Sequence, residues 1–241
     1  MPFKRELFDR NILEAVFESA RWQQRALLVE EDGLLLSAGS DEFPVGYGNC
    51  AVRVDAGLSA ADCIERAEAF FAEQDRGFSL WVREGVDADL EALLRARGLR
   101  PRVHSPWMFL EQAPAPPSLP AGVEASWARN VDDIQSAAEV LAAAYALGGL
   151  PEAVTQGLFA APARLLHPAL RVLLLRERGR VVATGQLLCT FGMGGIYWVG
   201  TRPEASRRGL GGAVTALLAR AAFEAGLPRV GLHATPMGQP V

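Results

Sequence analysis

Apolar residues in the second half of the chain fall into short unbroken runs and into stretches with helical spacing. The runs at 170–176 and 181–191 predict a hairpin, because Glu177-Arg178-Gly179-Arg180 supplies a turn between them. The helical spacing after the next turn is carried by Leu210, Val214, Leu217, Leu218 and Ala221. The predicted elements are strand 123–127, helices 131–147 and 152–166, strands 170–176, 181–191 and 196–201, a helix from Leu210, and strand 230–233. Their order favours a mixed sheet with helices on its faces.

The first half has a related pattern. Strands are predicted at 27–30, 33–36 and 48–54, and Ser59 with Asp62 gives a start signal for a helix at 60–74. A strand at 78–83, a helix at 87–97 and a strand at 103–110 follow. The run from Gly48 onward repeats the strand, helix, strand order of 196–233, which suggests a duplicated half-domain.

Between the halves, the segment from Gln112 to Gly122 contains four prolines and no charged residue. This composition is typical of a semi-rigid linker. We therefore predict an N-terminal domain at 1–112, a linker at 113–122 and a second domain at 123–241. The alternative is a long surface loop within one large domain, because loops share this composition.

Composition narrows the class of protein. Half of the 241 residues are hydrophobic, and the formal net charge is -4 without a long basic run, so we expect a soluble protein that does not bind nucleic acid. No apolar run reaches membrane-spanning length, and no membrane partner is expected. The three cysteines are widely spaced, which favours a reducing cytoplasm and indicates neither a disulfide framework nor a metal site.

The turn that begins at Val199 and ends near Gly212 lies between an apolar strand and a helix start. Unpaired backbone amides and the positive end of a helix dipole favour an anion there, and Gly209 and Gly211 allow it close to the backbone. The turn lacks the Gly-Lys-Ser/Thr of a P-loop and the Gly-x-Gly-x-x-Gly of a dinucleotide site. The plain alternative is that the glycines serve only a tight turn.

The window Ser206-Arg207-Arg208-Gly209-Leu210-Gly211 resembles the coenzyme A signature of the GNAT superfamily of N-acetyltransferases. In that signature an Arg or Gln precedes x-x-Gly-x-Gly/Ala, so Ser206 is a departure, and Arg207 could supply the missing charge. The resemblance covers nearly all of 121–241 and implies acetyl-CoA as co-substrate. It implies coenzyme contacts from Val199, Gly200, Thr201, Arg207, Arg208, Gly209, Leu210, Gly211, Gly212 and Ala213. The Val199 amide would polarise the thioester carbonyl, and Thr201 would pair with pantetheine.

The fold implied by the resemblance is a GNAT-like α/β (α+β) fold with a mixed, mostly antiparallel sheet flanked by helices, in tandem with a smaller GNAT-like N-terminal domain. The implied activity is transfer of the acetyl group to a primary amine of a small molecule or a peptide. The amine would attack acetyl-CoA directly within a ternary complex. His233 and Tyr197 are the candidate proton carriers, and Tyr145 is a further candidate beside the acceptor. For each of them, packing in or beside the core is the alternative.

The main departure from the family is at the chain end. Family members continue past the last strand with a helix that bears a Tyr acid, and then with more strands, whereas this sequence stops at Val241. We expect either a truncation or completion by another element: residues 89–110 resemble the missing helix and strand, and an open sheet edge would favour a homodimer. The competing functions are an acyl-CoA-sensing module and a purely structural α/β protein.

Overall fold

The chain divides into two compact units. A computed structural model describes residues 2–44, 46–235 and 237–239, with side chains from residue 6 onward. The larger unit combines Met1–Ala15 with His104–Val241, and the smaller unit is Val16–Val103. This division differs from the one drawn at 113–122, because the strand that precedes the proline-rich segment pairs within the larger unit.

The described residues form ten strands and six α-helices. The strands are β1 (Leu27–Glu31), β2 (Leu34–Ala38), β3 (Cys50–Arg53), β4 (Ser79–Trp81), β5 (Trp107–Leu110), β6 (Val123–Trp127), β7 (Leu170–Glu177), β8 (Arg180–Thr190), β9 (Met193–Thr201) and β10 (Val230–His233). The helices are α1 (Pro2–Arg21), α2 (Ala60–Glu73), α3 (Ala88–Ala96), α4 (Val131–Ala146), α5 (Glu152–Leu158) and α6 (Leu210–Glu224).

The smaller unit contains a four-stranded sheet in the order β1-β2-β3-β4. Neighbours among β1, β2 and β3 pair antiparallel. β3 pairs parallel with β4, and helix α2 is the crossover that connects these two strands. The helix buries an apolar face that includes Ile64, Ala67 and Phe71 against Leu34 and Leu36 of the sheet. The predicted helix start is confirmed, because the Ser59 side chain accepts a hydrogen bond from the Asp62 amide.

The larger unit contains a six-stranded sheet in the order β5-β10-β9-β8-β7-β6. Within the described strands of this sheet, β9 and β10 are the one parallel pair, and α6 is the crossover between them. The other neighbours are antiparallel, including the predicted hairpin of β7 and β8. Val214 and Leu218 of α6 pack into a core with Leu187 and Ile196. The α/β fold with a mixed, mostly antiparallel sheet is confirmed.

Some predicted boundaries were wrong. The helix predicted at 152–166 is α5 followed by a separate 3-10 turn, Pro162–Leu165, because Pro162 cannot continue the ladder of α5. The strand predicted at 103–110 begins only after Pro106, at Trp107. The helix α1 was not predicted at all. It begins in the larger unit and ends in the smaller one.

The edge of the larger sheet next to β10 is formed by β5. Its register pairs Trp107 with His233 and Leu110 with Val230 in the antiparallel sense. The expectation that 89–110 supplies a helix and a strand to this unit is therefore correct for the strand. It is wrong for the helix, because α3 packs on α2 in the smaller unit. Among the described residues, no helix is both long enough and apolar enough to cross a membrane.

Candidate functional site

The two parallel strands of the larger sheet pair over only part of their length. Three residue pairs join β10 to β9, and the last of them is Leu232 with Ile196. β9 continues for five more residues, to Thr201, beyond the last pair of this ladder. At its own end β10 pairs instead with β5. A gap therefore opens between the two strands beyond Ile196, and on this edge the backbone groups of Val199, Gly200 and Thr201 lie outside the ladder.

A β-bulge lies on β9 at the start of this gap. The register with β8 shifts, so that Tyr197 pairs with Gln186 while Gly200 pairs with Thr184. Two residues, Trp198 and Val199, thus stand opposite one residue of β8. Trp198 has a left-handed φ of 49°. Such a bulge re-aims the backbone and is common beside functional sites.

The residues of the bulge and the two that follow it lie on different faces of the sheet. The Trp198 ring contacts Tyr145 of α4 and Phe159, with centroids 5.3 Å away in each case. The Val199 side chain packs on the core beneath α6. Gly200 lies against Leu141 and Ala144 of α4, and Thr201 is the last residue of β9.

After β9, the chain turns into α6 through an uncapped helix start. Gly209 is the N-cap residue, with a left-handed φ of 74°, and no side chain caps the helix. A Cβ added to Gly209 would meet no atom within 4 Å, so the space beside it is open. The Ala213 amide already donates to the Gly209 carbonyl at 3.0 Å. Ahead of it, the amides of Leu210, Gly211 and Gly212 are the orphan donors of the helix, which together favour an anion.

The two arginines of the turn differ in their surroundings. Arg208 donates to both carboxylate oxygens of Glu177, at 2.7 and 3.0 Å. These bonds hold the pKa of Glu177 below its ordinary value. Arg207 is exposed with a left-handed φ of 59°, and it forms no ion pair with a carboxylate of the described residues. The charge of Arg208 is thus partly neutralised, whereas that of Arg207 is not.

A model of a known protein family matches the part of the chain that contains these features. The profile described as "Acetyltransferase (GNAT) domain" matches residues 119–235, which include the gap, the bulge and the uncapped turn. The match covers 117 of the 241 residues, just under half of the chain, and residues 119–235 are called the GNAT domain after it. The resemblance drawn from the motif around Gly209 is confirmed. A comparison with curated proteins gives no match.

Solved structures resemble most of the chain. A GCN5-related N-acetyltransferase from Kribbella flavida is 24% identical, with a TM-score of 0.67 over 92% of this chain and 84% of that one. A second GCN5-related N-acetyltransferase, from Sphaerobacter thermophilus, is 17% identical, with a TM-score of 0.58 over 85% and 72%. A functionally unknown conserved protein from Staphylococcus epidermidis is 13% identical, with a TM-score of 0.53 over 88% and 84%. At these identities the likeness establishes the fold.

The candidate base His233 ends β10, beside the gap of the GNAT domain. Its ring lies edge-on against Phe8 of α1, with centroids 4.8 Å apart. Burial lowers the pKa of His233 to about 4, so the imidazole is neutral at pH 7. A base with so low a pKa accepts protons only weakly near neutral pH. The catalytic role of His233 stays a prediction.

The candidate Tyr197 is tied to α1. Its hydroxyl donates to Asn11 Oδ1 at 2.6 Å, and Asn11 Nδ2 donates to the Leu188 carbonyl and to Thr190 Oγ1 at 3.2 and 2.7 Å. A Cβ at Gly195 would clash with Asn11 Oδ1, so this group depends on a glycine there. Tyr197 thus joins helix and sheet, and its role in proton transfer stays a prediction.

Two other predicted residues have surroundings of their own. Burial raises the pKa of Tyr145 to about 12, so its phenol remains protonated at working pH. Ala213 is buried and its amide is used inside α6, which gives it a place in the packing of the helix and leaves no free amide for an anion. The other coenzyme residues predicted in the turn lie together at the helix start.

Sequence reasoning missed the residues that α1 brings to the GNAT domain. Phe8 and Asn11 face β9 and β10, and Phe8 also contacts Trp107 of β5 at 5.1 Å. A signal was present, because Phe8, Ile12 and Ala15 recur at helical spacing and are buried. The bulge at Trp198 had no such signal, since a left-handed φ at a tryptophan follows from sheet register and not from local preference.

Proposed function

We propose that the GNAT domain is an acetyl-CoA-dependent N-acetyltransferase that acetylates a primary amine by direct attack within a ternary complex. One observation carries the proposal: the open gap along β9 leads directly to the uncapped start of α6. An extended polar chain with an anionic group at one end is complementary to such a surface. Acetyl-CoA has this form.

The coenzyme fits the gap in one direction. The pantetheine arm, which carries two amide groups, would pair with the exposed backbone of β9 as an added strand does, with Thr201 near its outer end. The pyrophosphate would accept hydrogen bonds from the amides of Leu210, Gly211 and Gly212. Gly209 leaves room for this approach, and Arg207 adds an unpaired positive charge.

The reaction needs little covalent help from the protein. The amine nitrogen attacks the thioester carbon, the carbonyl oxygen takes up negative charge, and the carbon–sulfur bond then breaks to release the coenzyme thiolate. The nitrogen loses one proton and the sulfur gains one. We assign the Val199 amide, at the bulge, as the donor to the oxyanion, since fixed backbone donors stabilise such charge effectively.

Proton transfer is the step for which the chain offers the weakest groups. The neutral imidazole of His233 can accept a proton only poorly, because its pKa is about 4. The amine would therefore react in its uncharged form, and the rate should rise with pH as more of the amine is deprotonated. A His233→Gln variant should keep this pH profile, and a profile that changes would restore His233 as a base.

A second candidate function is acyl-CoA binding without turnover. It is favoured by the same observations: the lowered pKa of the partly buried His233 and the hydrogen-bonded hydroxyl of Tyr197 make both poor proton carriers. The two candidates share the coenzyme site and differ only in whether an amine is acetylated.

Calorimetric titration of the 241-residue chain tests the shared part. Acetyl-CoA and desulfo-coenzyme A should both bind, because neither the gap nor the turn requires the sulfur. Absence of binding by both ligands would refute the coenzyme site. Release of coenzyme thiol, followed with a panel of small primary amines and peptide N-termini, then separates the candidates. Release of thiol that depends on an amine indicates acetyl transfer. Binding of acetyl-CoA without release of thiol in the presence of any amine of the panel favours the sensing module.

A further inference from the structure

A charged cavity of about 410 Å³ lies beside the turn that precedes α6. One wall is the turn joining β7 to β8, and the other is the segment from Glu204 to Arg208. Five charged residues line it: Glu177, Arg178, Arg180, Glu204 and Arg208. Three cations face two carboxylates, so the lining has one positive charge in excess.

The two carboxylates are paired, and one arginine is not. Glu177 pairs with Arg208 at 2.7 Å, and Glu204 pairs with Arg180 at 3.1 Å. Arg178 is exposed, has a left-handed φ of 51°, and forms no ion pair among the described residues, although its charge helps to lower the pKa of Glu177. Exposed ion pairs contribute little stability, so a ligand with two negative charges can compete for Arg180.

The cavity lies on the far side of the turn from the gap. The gap is between β9 and β10, whereas the cavity is at the end of β7 and β8. Neighbouring strands are about 4.8 Å apart, so β7 lies roughly 10 Å from β9 across the sheet. A ligand with its acyl arm in the gap and its pyrophosphate on the α6 amides thus has its nucleotide end within reach of this cavity.

We infer that this cavity binds the 3′-phosphate of the coenzyme's ribose, with Arg178 and Arg180 donating to the phosphate oxygens. The inference rests on the proposed function, because it presumes the coenzyme in the gap. Guanidinium groups suit this role, since their planar donors match phosphate oxygens two at a time. Arg208 and Glu177 border the same space and hold the wall next to the pyrophosphate.

The test compares coenzyme A with 3′-dephospho-coenzyme A by calorimetry. Wild type should bind coenzyme A about tenfold more tightly, as expected for charge-assisted hydrogen bonds to one phosphate. The double variant Arg178→Ala/Arg180→Ala should lose this preference and bind the dephospho form as wild type does. A matched control, Arg129→Ala/Arg164→Ala, removes the same charge from exposed sites outside the cavity and should keep the preference.

Three outcomes would count against the inference, and they differ from one another. Equal binding of the two ligands by wild type would overturn it while leaving the coenzyme site intact. A preference that survives in the double variant would overturn the assignment of Arg178 and Arg180. Binding of neither ligand would refute the proposed function itself. Thermal unfolding of each variant shows whether the exposed hairpin substitutions leave the fold unchanged.

Discussion

The two units of the chain share one run of five elements and differ at one junction within it. In each, two antiparallel strands lead to a third, and a crossover helix leads to a parallel fourth: β1-β2-β3-α2-β4 in the smaller unit and β7-β8-β9-α6-β10 in the larger. The junction between the third strand and the helix is filled by side chains in one unit and left open in the other.

In the smaller unit the junction is closed. β3 ends at Arg53, one residue after its last pair with β4, so no gap opens between these strands. The Arg53 guanidinium donates to the Leu58 carbonyl at 3.2 Å and to the carboxylates of Asp87 and Asp89. The helix start is capped by Ser59. The Asp62 amide and the Arg53 guanidinium, two donors that an anion could use, thus have partners from the chain itself.

In the larger unit the corresponding partners are absent from the described residues. β9 runs five residues beyond its last pair with β10, and α6 starts at Gly209 without a side-chain cap. The comparison shows that topology alone does not create an anion site. The proposed site depends on glycines and on backbone beyond the β9–β10 ladder, where the other unit has an arginine, two aspartates and a serine.

The largest effect is expected from opening the closed junction. Arg53→Met removes one of the two arginines that bond the carboxylate of Asp87, which is 1% exposed, and leaves Arg83 as the other. Loss of one partner of a buried ion pair costs about 3–5 kcal/mol. Hydrogen–deuterium exchange should show the peptides of 16–103 losing protection. Asp89→Asn is the control, because Asp89 is 59% exposed and its loss should cost much less.

Coenzyme binding separates this effect from a loss of the whole fold. The affinity of Arg53→Met for acetyl-CoA should equal that of wild type, since the gap and turn belong to the larger unit. An equal loss of protection in both variants, or none in either, would contradict the importance assigned to the buried pair.

Closing the open junction should have the next largest effect. Gly209→Val places a branched side chain in the open space beside the α6 amides and strains a φ of 74°. Affinity for acetyl-CoA should fall on the order of 100-fold, because close approach of the anion is blocked. Calorimetric titration measures the change.

Gly226→Val provides the matched control for this substitution. Gly226 lies at the other end of α6, has a φ of 82°, and also has open space where a Cβ would stand. The two variants share the backbone strain, so they should lose similar stability. If Gly226→Val weakened acetyl-CoA equally, the anion would not lie at Gly209.

Local signals explain why some of this could be predicted from the sequence. The cap at Ser59 and the turn at Gly209 each involve residues within a few positions of one another, and both were predicted. The closure of the first junction was not. Arg53 meets Asp87 and Asp89 across more than thirty residues, and no local pattern encodes that contact.

The same limit applies to the edge of the larger sheet. Trp107 pairs with His233, far along the chain, so the place of β5 follows from tertiary structure alone. The proline-rich segment after it was interpreted as a domain boundary because composition reports flexibility and not strand pairing. The bulge at Trp198 is set by register with β8, which also has no local code.

Acid should weaken the closed junction before it affects the open one. Burial alone would raise the pKa of Asp87, but bonds from Arg83 and Arg53 hold it below its ordinary value, and the bond from Arg53 lowers the pKa of Asp89 to about 2. A lowered folded-state pKa gives stability that is complete above the unfolded pKa of about 3.9 and is lost as pH falls through the folded value. Stability of the smaller unit should therefore decrease from about pH 4 towards pH 2.

Hydrogen–deuterium exchange of 16–103 in this range, corrected for intrinsic rates, measures the decrease. Arg53→Met should flatten the dependence, because it removes the partner that Asp87 and Asp89 share. A slope as steep in this variant as in wild type would place the acid sensitivity elsewhere.

The smallest effect is expected from substitution of Arg208, the arginine of the open junction that pairs with Glu177. Arg208→Ala removes a charge beside the α6 amides, but Glu177 already partly neutralises that charge through two hydrogen bonds. Affinity for acetyl-CoA should fall by roughly two- to fivefold, in keeping with an exposed and screened interaction. Arg229→Ala is the control, because Arg229 has a similar exposed pair with Glu111 at the other end of α6 and should leave affinity unchanged.

Glu177→Gln should change the affinity for acetyl-CoA in the opposite direction. It keeps the shape of the side chain and removes the negative charge that competes for Arg208, so acetyl-CoA should bind more tightly, by less than the loss in Arg208→Ala. In the double variant the gain should disappear, because the freed arginine is its only cause. If the gain persisted without Arg208, Glu177 would repel the coenzyme directly. The carboxylate of Glu177 would then itself limit the affinity of the open junction for acetyl-CoA.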